Sequence, residues 1–170
     1  MRIIKFKGKC AKDESWVFGD LCHVMNNVAI KPFSESYRRS LVDPTTVCQF
    51  TGLTDKNGKE IYEGDVLRSD IYPFSNIEYN ERDNYFAVIY HCKENASFLL
   101  QKIKNPKTSI TGISDDFSDY ITQEEMAEFE VIGSIHDFKW KQYRKYFQTK
   151  EETEAASSAN GSISKDIPTG

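Results

Sequence analysis

The residues of this chain with the greatest chemical capacity lie in TGLTDKNGKEIYEGD, Thr51 to Asp65, where four acids, two lysines and a tyrosine alternate with apolar residues. Carboxylates such as Glu63 and Asp65 do general acid–base work when both converge on one pocket with separated pKa values. His23, His91 and His136 add candidate bases, and Tyr62, Asp65 and His136 are a trio whose convergence would make an enzyme pocket. The dipeptides Cys22-His23 and His91-Cys92 offer zinc-ligand types. Neighbours on a strand point to opposite faces, however, so each dipeptide supplies only one ligand to a common site. A different chemistry is offered by Lys139, Trp140, Lys141, Arg144 and Lys145. There, groups that neutralise phosphate interleave with rings that stack on bases, joined by Tyr143, Tyr146 and Phe147.

The spacing around Thr51–Asp65 is better explained by turns than by catalysis. With Asn57-Gly58 alone as the loop, Lys56 would face Lys59 and Asp55 would face Glu60, two like-charge pairs that destabilise a hairpin. With Asp55 to Gly58 as a type I turn and Gly58 as a left-handed bulge, Asp55 faces Lys59, Leu53 faces Ile61 and Gly52 faces Tyr62. Asp first and Gly fourth suit that turn, so a three-residue loop with a bulge at Gly58 is expected. Glu63-Gly64-Asp65 then reverses the chain again. Gly52, Asp55, Asn57, Gly58, Ile61, Tyr62, Glu63, Gly64 and Asp65 are therefore assigned to architecture, with no catalytic residue, metal ligand or cofactor. Leu53 and Ile61 share one face of this hairpin and Phe50 and Tyr62 the other, which is either a sticky surface or, as expected, covered by the C-terminal aromatic helix.

The elements that must carry this hairpin read mostly as strands. RIIKFK (residues 2–7) is expected to be the first, with Ile4 and Phe6 on one face. Gly19-Asp20 and then Asn26-Asn27 look like two-residue hairpin loops, because glycine and asparagine accept positive φ. Pro32 and Pro44 break the segment between. Residues 69–84 are polar and aperiodic, an excursion over the surface. YFAVIYH (85–91) is apolar on both faces and reads as a central strand, joined through KENAS to FLLQKIK (98–104). Thr122 and Glu125 form a capping box for a short helix. FEVIGSI closes the set, with Phe129, Val131 and Ile135 on one face.

Residues 138–150 hold five basic groups and no acid, and Trp140, Tyr143 and Phe147 at spacings of three and four predict a helix with one aromatic stripe. Residues 151–170 have too few large apolar groups to offset their ordering entropy and are expected to form a disordered tail. The predicted organisation is thus a β domain over 1–137, a basic aromatic helix over 138–150 and a tail over 151–170.

Bulk properties narrow the function classes. A chain of 170 residues with 39% hydrophobic and 13% aromatic content can bury a core without a staple. A net charge of −4 argues against the whole molecule acting as a trap for nucleic acid or anionic lipid. The apolar runs fall short of the ~20 residues a membrane span needs. No secretion signal is evident, so a cytoplasmic protein that does not engage membrane is expected. The four cysteines, without a CxxC pair, read as small buried hydrophobes.

Three stretches together resemble the YopX family of phage and prophage proteins: RIIKFKGK at the start, VDPTTVCQFTGLTDKNGKEIYEGDVL over 42–67, and FEVIGSIHD over 129–137. The resemblance implies a mainly β fold, a β pseudo-barrel with short helices, and a gene carried on phage-derived or other mobile DNA. It implies no activity, since no biochemical function is established for the family. Relatives tend to end soon after the last strand, so the segment after residue 137 departs from the pattern. With no phosphate loop, HExxH or GxSxG motif, the expectation is a small binding or adaptor module for a phage or host protein, or one that self-associates. Nucleic-acid binding through 138–150 is the alternative, and an enzyme built on Tyr62, Asp65 and His136 a third reading.

Overall fold

β-Branched and aromatic runs punctuated by turn residues give a mainly β chain. The computed structural model describes residues 3–34, 38–69, 85–103, 113–117, 121–137 and 139, and these form two antiparallel sheets. The first has the order β4 (Ser40–Leu41), β3 (Asn27–Pro32), β2 (Trp16–Val24), β1 (Phe6–Lys9), β5 (Cys48–Thr54), β6 (Glu60–Tyr62). The second runs β10 (Ile113–Phe117), β9 (Ser97–Ile103), β8 (Tyr85–Cys92), β7 (Asp65–Ser69), β11 (Glu130–Ser134). The expected excursion over 69–84, the helix over 138–150 and the tail lie outside the described residues, apart from Ser69 and Lys139.

Two expectations for the N-terminal region are corrected. The first strand begins at Phe6, and Ile3 and Ile4 are exposed. Gly19-Asp20 is not a turn, because β2 runs through it, with Gly19 opposite Phe6 on one side and Pro32 on the other. A Cβ at Gly19 would lie 2.0 Å from the Lys31 carbonyl oxygen. Here glycine permits close backbone approach inside a strand, the other common reason for finding it there. The reversal falls at Met25-Asn26, one residue earlier than expected, with Val24 paired to Asn27 and Met25 at φ 53°.

The first sheet curls back on itself. After β4 the chain returns to the end of β1 through the bridge Cys10–Val42, flanked by Ala11 N–H to Leu41 O and Asp43 N–H to Lys9 O, both 2.9 Å. The interior is tight at Gly8, where a Cβ would sit 3.2 Å from Ile30 and 3.3 Å from Val42. Asp43 then caps a 3₁₀ turn at Pro44–Thr46 by accepting the Thr45 N–H.

The β5–β6 hairpin has the three-residue loop. Asp55 N–H bonds Lys59 O, Gly58 N–H bonds Asp55 O, and Gly58 has φ 76°. Thr54 pairs with Glu60 as that register requires, but the ladder then shifts, so Tyr62 lies opposite Phe50 rather than Gly52. Gly52, at φ 94°, sits in the intervening bulge. This corrects the expected Gly52–Tyr62 pairing, which assumed an unbroken ladder.

The main core lies against the second sheet. Its central strand β8 buries Phe86, Ala87, Val88 and Ile89 in succession, so both faces are covered. Ala87 and Ile89 pack with Ile61, Leu67, Leu100, Met126, Phe129 and Val131. Full burial of a side chain such as Phe129 or Leu67 contributes ~1.5–3 kcal/mol. Helix α1 (Gln123–Met126) starts on the capping box, with Thr122 and Glu125 satisfying each other's backbone N–H, and delivers the fully buried Met126. In β11 a register shift between Val131 and Gly133 changes the phase. Ile135, expected on the core face with Phe129 and Val131, is consequently 42% exposed.

Candidate functional site

Lys5, Lys7 and Lys9 alternate along the start of the chain, so period 2 places all three on one face. The pairing Lys7–Phe18 and Lys9–Trp16 sets two aromatic rings on that face of the neighbouring strand. This wall forms one side of a groove of about 780 Å³ whose other sides are the β6 entry at Lys59 and Glu60 and the edge strand β11 with its continuation to Lys139.

At the floor Lys7 forms an ion pair with Asp65, and both are buried. The second Asp65 oxygen accepts the Tyr62 N–H at 2.8 Å. The Lys7 ammonium also lies 4.7 Å from the Trp16 ring centroid and 5.0 Å from that of Tyr62. Tyr62 donates its hydroxyl to Glu60 at 2.7 Å, and Glu60 holds Lys5, which sits over Phe50. At the far end Trp16 donates its indole N–H to Asp137 at 2.7 Å, and His136 stands edge-on to Trp16.

Electrostatics follow from this packing. Burial pushes the Asp65 carboxyl above the usual carboxylate range, opposed by Lys7 and by the Tyr62 N–H. Burial and then Glu60 raise the Tyr62 hydroxyl well above its ordinary value. Burial lowers the His136 imidazole below its ordinary value, and Lys7 and Lys9 lower it further. Burial would raise Glu60, but hydrogen bonds from Lys5 and Tyr62 outweigh it and hold the carboxyl below its usual range. Next to the floor, burial pushes the Cys48 thiol up to about 12, where it behaves as an apolar group.

The architectural residues are distributed as follows. Asp55 is buried and accepts three backbone N–H groups, from Asn57 at 2.8 Å, Lys59 at 2.9 Å and, across to the second sheet, Val131 at 2.9 Å. Asn57 and Gly58 are exposed in the loop, and Ile61 is in the core. Glu63 and Gly64 join the sheets: Glu63 N–H bonds Gln49 O, Gly64 N–H bonds Ile89 O, and Ile135 N–H bonds Gly64 O. Glu63 lines a separate crevice with Cys48 and Ile135, so it does not pair with Asp65. Asp65 itself is more than a turn residue, since its carboxylate meets a lysine 58 residues away. Phe18, at 5.7 Å between ring centroids, and the β1 lysines lie on the Phe50–Tyr62 face. β1 and β2 with Lys5 thus cover part of that face, and the C-terminal helix also expected there lies outside the described residues.

Tyr62, Asp65 and His136 do line one groove. Lys139 lies exposed on the same groove, whereas Trp140, Lys141, Arg144 and Lys145 lie outside the described residues. Cys22 and His23 belong to the first sheet and His91 and Cys92 to the second, and His91 packs edge-on against Phe98. Among the described residues no three His, Cys, Asp or Glu side chains gather as a metal-ligand set. Cys48 and Cys92 are buried as expected, but Cys10 and Cys22 are only half-buried. Sequence reasoning missed Lys7, Lys9, Trp16, Phe18 and Asp137 as groove residues. The available signal was the alternation of lysines in KFKGK across from the aromatics of WVF.

Two antiparallel sheets, joined by a tight reversal and riveted by a buried ion pair, define a mainly β protein. The chain matches the YopX protein family over residues 5–138 and belongs to that family. The matched span contains every strand described above and stops one residue before Lys139. No individual curated protein matches the chain. No helix among the described residues is long and apolar enough to cross a membrane.

Proposed function

We propose that this YopX-family chain is a binding module of a phage-derived element, engaging a phage or host protein in the bacterial cytoplasm through the groove between β1–β2 and β11. The phage origin rests on the family resemblance. The observation that carries the binding reading is that three of the groove's reactive side chains are already engaged. Asp65 is held by Lys7 and Tyr62 N–H, the Tyr62 hydroxyl by Glu60, and Asp137 by Trp16. A general base or nucleophile works through a free lone pair within reach of substrate. These groups instead build a rigid, aromatic and charged surface, with Phe18 47% exposed on it. The test is a photo-crosslinking residue placed at Phe18 in the full chain, expressed in its native cells. A reproducible crosslinked protein, lost when the crosslinker is moved to Met25, an exposed position outside the groove, is expected. Equal labelling at both positions contradicts the proposal.

A second reading has Lys139, Trp140, Lys141, Arg144 and Lys145 binding nucleic acid, and exposed Lys139 on the groove favours it. Salt-dependent binding of single-stranded oligonucleotides, abolished by reversing these charges, is its expected signature. No binding at low salt refutes it.

A further inference from the structure

After β11 the chain passes from the second sheet along the wall of the first. His136 stands edge-on to Trp16 at 6.1 Å between ring centroids, and its carbonyl accepts the Lys9 ammonium at 3.4 Å. Asp137 takes the Trp16 indole N–H at 2.7 Å. Lys139, exposed on the groove, is the last residue the structure describes, and the sequence continues directly into Trp140. Three contacts thus fix the chain against Trp16 just before residue 140 begins, at the groove itself.

An apolar place is left open there. Phe18 lies two residues beyond Trp16 on β2, ~7 Å along the strand, and is 47% exposed although Tyr62 packs against it. The lining holds four carboxylates and four ammonium groups, so charge selects no occupant and apolar contact must. The β11 edge does not invite an added strand at Val131, whose N–H is taken by Asp55 and whose carbonyl is taken by Lys59, so the groove receives side chains. Its volume is within the ~300–1,000 Å³ that encloses a compact ligand. Trp140, Tyr143 and Phe147 recur at spacings that give a helix one aromatic stripe. Eight such residues span ~12 Å, enough to carry that stripe past Phe18. Tethered at Lys139, the segment meets the groove at an effective concentration in the ~mM range, against which a separate partner must compete.

We propose that the groove is the docking place of this chain's own residues 140–147, with Trp140 and Tyr143 packing on Trp16 and Phe18, so that a partner binds by displacing them. This deepens the binding-module reading by giving its groove a built-in competitor, and rests on that reading for the competition alone. The test takes the purified full chain with a photo-crosslinking residue at Phe18, irradiated over a range of protein concentrations and mapped by mass spectrometry. A link from position 18 to residues 140–147 of the same chain is expected, with a yield independent of concentration. Trp140→Ala combined with Tyr143→Ala should lower that yield about tenfold, with an unchanged circular dichroism spectrum. The crosslinker at Met25, exposed outside the groove, should give no such link. Absence of the link, an equal link from Met25 or an unchanged yield in the double variant overturns the inference. A link that joins two chains and grows with concentration overturns it in favour of a second copy as occupant. If position 18 captures a separate protein in cells but never residues 140–147 in isolation, the inference fails and the binding-module reading stands.

Discussion

Replacing Lys7 with methionine would test the central packing claim directly. Methionine matches the length of the lysine stem but removes the ammonium, leaving the Asp65 carboxylate buried with only the Tyr62 N–H as partner. The side chains of Lys7 and Asp65 are 9% and 2% exposed, so solvent screens the pair poorly. Losing one partner of such a pair costs ~3–5 kcal/mol. Because Lys7 lines the groove, water can reach part of the vacated space, which favours the lower end, ~3 kcal/mol. The two cation–π contacts are lost as well and lie within that figure. Asp65→Asn keeps an acceptor for Tyr62 but strands the ammonium, and should cost ~2–3 kcal/mol. The double variant removes both charges together and should be less destabilised than the two singles summed, with a coupling of at least ~1.5 kcal/mol.

Urea unfolding of the four proteins supplies all the terms. The pH dependence adds an independent check on cause. Burial raises the folded pKa of Asp65 against the opposing effect of Lys7, so ionising Asp65 costs the folded state more than the unfolded one. A contribution of this sign is fully present below the unfolded carboxyl pKa and is lost as pH rises through the folded value. Without Lys7 the folded value rises further, so the Lys7→Met penalty should be largest near neutrality and shrink on acidification. A penalty under ~1 kcal/mol, or additivity within ~0.5 kcal/mol, would refute the buried pair as the rivet between the sheets. So would a penalty that grows as pH falls.

Substitutions at three further positions probe the scaffold. Asp55→Ala removes the acceptor of three backbone N–H groups and should cost ~3 kcal/mol. Asp55→Asn should fall between it and the parent, and a different order in urea unfolding would contradict the assigned role. Gly19→Ala forces a methyl to 2.0 Å from the Lys31 carbonyl oxygen and should cost ~3 kcal/mol or more. Gly58→Ala, with open space around it, should cost only the ~1–2 kcal/mol of its left-handed backbone. Equal melting temperatures for these two glycine variants would show that the β2–β3 approach is looser than described.

The chain's own order settled what depends on near neighbours. The Asp55–Gly58 loop follows from avoiding two like-charge pairs and from the glycine at the left-handed position. The α1 capping box follows from Thr122 and Glu125, and the central place of β8 from its apolar run. These are decided by turn dihedrals, cap hydrogen bonds and cross-strand pairs within a few residues, and local sequence encodes them. The three matching stretches likewise pointed to the YopX family. Only the tertiary structure could decide which face of KFKGK turns inward. Alternation places the lysines together but does not say what they meet, and the ordinary preference of lysine for water points the wrong way. Lys7 is buried because Asp65, Trp16 and Tyr62 arrive from other strands to satisfy its charge. Gly19 misled for the same reason: its need to have no side chain comes from Lys31 on the adjacent strand, and a contact between separate strands leaves no mark in local spacing.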